Sequence, residues 1–326
     1  MNSAVKRIGV LTSGGDAPGM NAAIRAVVRT AIAFGIECVG IRRGYAGLIA
    51  GDMFPMTAKD VNGLTERGGT ILYTARSKEF MTEAGQKRAA DNCRYMGIDG
   101  LVTIGGDGTF RGAEALSKHG VSVVGIPATI DNDIACTTYT IGYDTACNTA
   151  IESIDKLRDT MKSHERCSVI EVMGRNAGHL ALYVGIAAGA TSVLIPEKEI
   201  NLEKDIVDKI RKARLRGRTH FTIIVAEGAG SAQSVAEEVK NLTGIDTRVT
   251  VLGHVQRGGQ PLVRDRVIAT RMGYHAVEVL AAGQTNRIVT YHNDKCDDVD
   301  IDEGLAMHKG IEEEVYAILD AIMTGA

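Results

Sequence analysis

The sequence predicts an α/β protein in which helices cover parallel sheets. Three observations lead there. Short apolar runs of strand length recur along the chain, each ends in glycine, proline or an acid, and stretches with helical spacing of apolar positions lie between them. Residues 8–11 lead into Thr12, Ser13, Gly14, Gly15 and Asp16. Residues 101–104 lead into Gly105, Gly106, Asp107 and Gly108. Residues 121–126 lead into Pro127, residues 169–172 into Met173, Gly174 and Arg175, and residues 221–226 into Glu227 and Gly228. The amphipathic stretches between them include residues 22–34, 86–96 and 202–214. Ligands of parallel sheets bind beyond the carboxyl ends of the strands, and the Gly, Asp and Arg clusters fall there.

Length and composition narrow the class. At roughly 150 residues per domain, 326 residues suggest about two domains. Hydrophobic residues at 44% and charged residues at 24% are ordinary for a globular chain with a real core. Glycine is in excess, with 38 residues, about 12% against a usual ~7%. With 5 prolines and no glycine period, the excess has to serve tight turns or close approach of backbone to a ligand. A net charge of -3 and a pI near 6.3 disfavour nucleic acid, and no run of Lys/Arg is longer than a pair, which disfavours a polybasic membrane patch. Residues 1–6 lack the apolar core of a secretory leader. The least polar stretch, residues 180–195, is too short for a span and reads as a buried helix running through Gly189 into a strand. The cysteines Cys38, Cys93, Cys136, Cys147, Cys167 and Cys296 form no CxxC pair and read as reduced thiols of a cytoplasmic protein. No linker separates the halves, so boundaries are expected in short connections near Tyr139 and Val251.

The two glycine turns are the first candidates for chemistry. Backbone N–H groups in a strand-to-helix turn can cradle phosphate, and the helix N-terminus adds positive potential. An acid in the turn can hold the Mg²⁺ that bridges phosphates. A tight turn with a capping Asp is the plainer alternative, weakened by having two such turns in one chain. No Gly-Lys dipeptide occurs, and neither cluster fits G-x-G-x-x-G, so the P-loop and the dinucleotide fingerprint are both absent.

Residues 127–133 carry Asp131 and Asp133. On an extended segment these carboxylates point the same way, one for proton transfer and one for orientation; a polar turn with Asx-type hydrogen bonds is the alternative. The cations form the last set. Arg76 follows Gly68 and Gly69, Arg166 and Arg175 flank the fourth apolar run, and Arg248, His254 and Arg257 flank residues 249–253. Arginine forks match phosphate oxygens, although each one alone reads as a solvated charge. The acid-rich stretch 291–302 lacks the glycine and closing glutamate of a calcium loop and reads as a solvated turn.

Taken in order, GGDAPGMNAAIR, GGDGTF, PATIDND, YTIGYDTA, EVMGRNAGHLA and VLGHVQRGG resemble the bacterial-type ATP-dependent 6-phosphofructokinases, essentially end to end. The resemblance implies two doubly wound, mainly parallel α/β domains: 1–141 plus 252–304 for ATP, and 142–251 plus 305–326 for fructose 6-phosphate. It implies a homotetramer. It makes Asp131 the general base on the sugar 1-hydroxyl, with Arg76 and Thr129 as its catalytic companions, and Asp107 the Mg²⁺ ligand. Gly15, Tyr45, Arg76, Ser77, Gly106, Asp107, Gly108 and Thr109 would surround ATP. Thr129, Asp131, Asp133, Met173, Gly174, Arg175 and Glu227 would surround the sugar. Arg166 and Arg248 would reach in from a neighbouring subunit, and His254 and Arg257 would bind the 6-phosphate.

Departures from the family pattern sharpen these expectations. Pyrophosphate-using relatives resemble GGDD and PKTIDND; here Gly108 leaves room for a nucleotide and Ala128 supplies no charge, which favours ATP. The remaining alternatives are a pyrophosphate-dependent enzyme and a non-catalytic nucleotide or sugar-phosphate sensor. Ser77 and Met81 replace an aromatic residue and an arginine common in the family. An effector site for ADP, GDP or phosphoenolpyruvate keeps Arg25, Arg29, Arg158, Arg216 and Arg218. Ala58, Thr191 and Thr219 stand where an arginine, a glutamate and a lysine are typical, so an anion site with altered regulation is expected.

Overall fold

The structure is a computed structural model that describes residues 5–325. Residues 1–4 and 326 lie outside them, and with them most of the 1–6 opening and the extreme ends of the expected domain ranges. The chain begins with β1 (Arg7–Thr12), α1 (Met20–Ala33), β2 (Glu37–Ile41), α2 (Gly44–Ala50), β3 (Met53–Met56), α3 (Glu83–Tyr95), β4 (Gly100–Gly105), α4 (Asp107–Ser117) and β5 (Val123–Pro127). It continues with α5 (Tyr143–Ser163), β6 (Cys167–Val172), α6 (His179–Ala187), β7 (Ser192–Leu194), α7 (Asp208–Leu215), β8 (Phe221–Ala226), α8 (Ala232–Thr243) and β9 (Thr247–Val251). It closes with α9 (Val263–Ala281), β10 (Arg287–His292), β11 (Lys295–Asp300), α10 (Ile301–Ala306) and α11 (Glu313–Gly325).

Internal contacts divide the chain into two units. The first holds the chain up to Thr129, with Ile134–Thr145 and Arg257–Lys309. The second holds Ile130–Asp133, Ala146–Gln256 and the chain from Gly310. The first unit has a seven-stranded sheet in the order β11-β10-β5-β4-β1-β2-β3. Its five inner strands run parallel, and β3 and β11 close the edges antiparallel. The second unit has an all-parallel sheet in the order β7-β8-β6-β9.

The apolar runs read from the sequence are the central strands. β4 and β8 are buried at every residue, because helices cover both faces and no wet side remains. Phe110 fills the first core and is fully buried, with room made at Gly125, where a Cβ would lie 2.6 Å from its ring. Truncating such a phenylalanine costs about 3–5 kcal/mol. Helices α1 and α9 meet through small residues; a Cβ on Gly273 would lie 2.6 Å from Ala26 Cβ and 2.9 Å from the Ala23 carbonyl. In the second unit, Val169, Ile223 and Val225 pack with Ile206, Ile210 and Val239.

Residues 180–195 form α6, a left-handed turn at Gly189 (φ 57°) and β7, as the sequence predicts. Two expectations need correction. The stretch 291–302 is not a solvated turn: it holds most of the β10–β11 hairpin, closed by Asn293 and Asp294 at φ 49° and 60°. Two successive left-handed residues are what a two-residue hairpin loop requires. Asp298 accepts hydrogen bonds from Arg287, and Asp300 caps α10 through the Asp302 and Glu303 N–H groups. The helix expected over 202–214 starts with a π-helical turn, Glu203–Val207, before regular α7.

Candidate functional site

The two glycine turns of the first unit follow β1 and β4. These neighbouring strands are where the sheet order reverses, with β2 and β3 beyond one and β5 beyond the other. Such a switch point leaves a crevice at the strand ends. The turns share one framework. The Ser13 N–H donates to the Ile104 carbonyl at 3.0 Å, and the buried Thr109 hydroxyl donates to the Ser13 carbonyl at 3.0 Å. A Cβ on Gly105 would lie 2.4 Å from that carbonyl, so the backbones touch where a side chain cannot fit. Arg257 lies over the first turn, its Nη1 2.4 Å from a Cβ built on Gly15 and donating to the Asp16 carbonyl at 3.2 Å.

The second turn opens α4. Asp107 is in the first turn of that helix, 43% exposed, and accepts a hydrogen bond from Arg111 Nε at 2.9 Å. Gly108 is exposed, and no atom lies within 4 Å of a Cβ built on it. Thr129 is buried close to Gly106, 3.7 Å from Thr129 Cβ to a Cβ built there. A single half-exposed carboxylate beside open glycine backbone suits Mg²⁺ arriving with nucleotide phosphates, because Mg²⁺ binds through one or two carboxylates plus the phosphates. Arg76 is exposed, and Ser77 Oγ accepts from the Phe80 N–H at 3.2 Å.

Tyr45 differs from the expectation that it borders ATP. Its ring is buried and stacked on Phe80 at 4.1 Å between centroids, and its hydroxyl donates to the Thr109 carbonyl at 2.5 Å. Burial raises its pKa. It braces the second turn from inside, because α2 packs its ring against Gly112. Of the two readings of residues 127–133, the turn is the one found, and the extended geometry for Asp131 and Asp133 is absent. Asn132 takes φ 50°, which breaks the alternation; Asp131 is buried and Asp133 half-buried.

In the second unit the expected residues follow β6, β8 and β9. Gly174 has φ 137° and Arg175 φ 56°, so the 173–175 loop turns sharply. The Arg175 N–H donates to Glu227 Oε1 at 2.7 Å, and the Met173 N–H to Gln256 Oε1 at 2.9 Å. Met173 is buried; Arg175, Glu227 and His254 are exposed. Arg166 and Arg248 share Asp246, at 2.6 and 3.2 Å. Desolvation opposes ionisation of Asp246, but the Arg166 hydrogen bond and the neighbouring Arg248, Arg166 and Lys240 charges outweigh it and lower the pKa.

The effector cations fall into two groups. Arg25 and Arg29 lie on α1 of the first unit, the former half-buried and the latter exposed. Ala58 lines a groove of about 740 Å³ there with Ile32, Cys38 and Met56. In the second unit a cavity of about 250 Å³ lies among Arg158, Ala188, Gly189, Thr191, Arg218 and His220. Arg158 donates to the Ala188 carbonyl, and the Thr222 N–H donates to the buried Thr191 hydroxyl at 3.3 Å. Burial, then the charges of Arg218, Lys162 and Arg158, lowers the pKa of His220. Arg216 and Thr219 are exposed.

Three supporting residues escaped the sequence reading. Thr74 donates to the Gly14 carbonyl at 2.6 Å. Gln256 Oε1 accepts from the Met173 N–H. Asp265 is fully buried and accepts from Tyr139 Oη, the Gly142 N–H and both the N–H and hydroxyl of Thr145, at 2.5–3.0 Å. Burial raises its pKa against those four hydrogen bonds. An aspartate inside an amphipathic helix gives no local sign of such partners.

A protein-family model described as Phosphofructokinase matches residues 7–280. A protein of Clostridium botulinum named ATP-dependent 6-phosphofructokinase is 54% identical over 314 residues, covering 96% of this chain and 98% of its own. A Clostridium novyi protein of the same name matches with the same identity and coverage. Among solved structures, phosphofructokinase from Saccharomyces cerevisiae superposes with a TM-score of 0.87 at 34% identity over 97% of this chain. The match covers 46% of that chain, so the present chain spans about half its length. A pyrophosphate-dependent phosphofructokinase from Marinobacter aquaeolei gives a TM-score of 0.83 at 22% identity, covering 98% of this chain and 92% of its own, a likeness of fold.

Proposed function

Because this chain belongs to the phosphofructokinase family, we infer that it transfers the γ-phosphoryl group of ATP to the 1-hydroxyl of fructose 6-phosphate, giving fructose 1,6-bisphosphate and ADP. The observation that carries the reading is identity of 54% across nearly the whole length of relatives named as the ATP-dependent enzyme. The open space at Gly108 supports ATP over pyrophosphate, because the nucleotide needs room there.

Phosphoryl transfer asks for alignment and charge neutralisation more than covalent chemistry. ATP lies along the glycine turns at Gly15, Gly106 and Gly108, with Asp107 holding the Mg²⁺ of the nucleotide complex. That ion, when bound, offsets charge on the phosphates. Asp131 accepts the proton of the sugar 1-hydroxyl, which is a poor nucleophile until a carboxylate does so. Thr129 flanks it, and Arg76 offsets charge on the group in transfer. Met173, Gly174, Arg175, Glu227, Asp133, His254 and Arg257 recognise fructose 6-phosphate. Tyr45 and Thr109 act by holding the second turn.

Arg166 and Arg248 serve a neighbouring copy in a homotetramer, released from Asp246 as they do so. The Arg158, Arg218 and His220 cavity takes an anionic effector of the ADP, GDP or phosphoenolpyruvate class, with Arg25 and Arg29 as the family's further cations. The enzyme works in the cytoplasm; no helix among the described residues is long and apolar enough to cross a membrane.

A coupled assay with fructose 6-phosphate, Mg²⁺ and either ATP or pyrophosphate tests the reading. Turnover with ATP is expected. Turnover with pyrophosphate alone, or binding of both ligands without turnover, overturns it.

A further inference from the structure

Gln256 lies on the short 3-10 helix Gly253–Arg257, two residues beyond His254. Its side chain is fully buried, yet a residue kept for packing would be cheaper as leucine or methionine, which have no polar atoms to desolvate. Its Oε1 accepts from the Met173 N–H at 2.9 Å, while its Nε2 is buried with no hydrogen-bond partner among the described residues. The amide orientation is fixed by this contact: turned over, it would set donor against donor. The hydrogen bond that holds this buried side chain to the protein is therefore the one its carbonyl accepts.

What that carbonyl does follows from the sheet. In a parallel ladder the backbone groups of a strand alternate between its two neighbours. On the β9 side of β6, the Leu252 N–H donates to the Glu171 carbonyl at 3.1 Å, so the next group facing that way is the Met173 N–H. The strand backbone opposite ends there, because Gly253, at φ 56°, turns the chain into the short helix. The Gln256 carboxamide supplies the missing carbonyl and extends the ladder one rung past the end of β9. On the β8 side, the Glu227 N–H donates to the Val172 carbonyl at 2.9 Å, and its carboxylate accepts the Arg175 N–H. The 173–175 loop, with Gly174 at φ 137°, is thus held from both flanks by side chains.

We propose that Gln256 is a positioning residue that sets fructose 6-phosphate affinity by fixing the backbone of the 173–175 loop. The proposal rests on the sugar-phosphate role read for Met173, Gly174 and Arg175. Gln256→Met keeps the volume and removes the acceptor. It raises KM for fructose 6-phosphate about tenfold, with kcat and KM for ATP within twofold of the parent, and speeds hydrogen exchange at the Met173 amide. Gln256→Glu keeps an acceptor at the same reach and returns KM to within about threefold. Gln256→Asn, too short to reach, carries the same test where the methionine variant fails to fold. An unchanged KM for fructose 6-phosphate in the methionine or asparagine variant overturns the proposal. So does equal loss in kcat and in both KM values. A parent protein that does not turn over fructose 6-phosphate refutes the functional reading instead, and Met173 exchange then tests the positioning by itself.

Discussion

Gly108 separates a residue kept for the fold from one kept for a ligand. It is the second residue of α4, and no atom lies within 4 Å of a Cβ built there. At Gly105, three residues earlier, the same Cβ would lie 2.3 Å from Thr109 Oγ1. Gly108→Ala therefore meets no clash in the protein and gains helix propensity worth at most about 0.5–1 kcal/mol, an upward Tm shift of roughly 1 °C for a chain of 326 residues. The methyl group occupies space that the nucleotide would use, so KM for ATP rises while KM for fructose 6-phosphate holds. Gly108→Asp adds charge. A carboxylate about 5 Å from one phosphate charge is repelled by about 0.8 kcal/mol in water and about 3 kcal/mol at an effective dielectric near 20. The corresponding loss of ATP affinity is roughly fourfold to two-hundredfold. Thermal denaturation and coupled kinetics on the same samples read both quantities. Stability that holds or rises while ATP affinity falls is the expected pair. KM for ATP within twofold of the parent in both variants, or a Tm lowered by several degrees in the alanine variant, refutes the reasoning.

Asp131→Asn lowers kcat by roughly 10²–10⁴ while calorimetric affinity for ATP stays near the parent; near-normal kcat removes Asp131 as the base. His220 has a depressed pKa in the folded protein, so the unfolded chain binds its proton more readily and stability falls as pH drops below about 6.5. Inorganic phosphate in the cavity offsets Arg218, Lys162 and Arg158 and raises that pKa, as followed by NMR titration; no movement at saturating phosphate refutes an anion site there. Cys38, Cys93 and Cys167 are pushed up to about 12 and Cys136 to about 11, chiefly by burial. At pH 8 a thiol reagent reacts first with Cys296 and takes up the other thiols only on denaturation; rapid reaction of several thiols in the native protein contradicts this burial.

The α/β class was legible because buried parallel strands are uninterrupted apolar runs and their glycine ends are conspicuous. β1, β4, β5, β6 and β8 all announced themselves that way. The edge strands of the first sheet did not. β11 carries Lys295, Asp297, Asp298 and Asp300, charges that blunt an open edge, and β3 is a four-residue apolar segment interrupted by Pro55, too short to stand out. The β10–β11 hairpin did leave one local sign, Asn293 and Asp294, two residues tolerant of left-handed φ. In the candidate site, the glycines and exposed cations could be listed from the sequence. The partners that hold them could not: Asp246 under two arginines, Tyr45 turned inward, and Gln256 standing in for a strand carbonyl are long-range facts. Asp131 and Asp133 have the spacing of strand neighbours, and only the left-handed φ of Asn132, which turns the chain between them, decides for the turn.

The seam between the two glycine turns has an evolutionary consequence. Ser13, Gly105 and Thr109 are joined across it, so a change at any of them disturbs both glycine turns at once and cannot be selected for one turn alone. Gly108 stands outside the seam, facing open space. If Gly108 borders the nucleotide as proposed, a lineage exchanging one phosphoryl donor for another has there a position it can change without first repairing the scaffold.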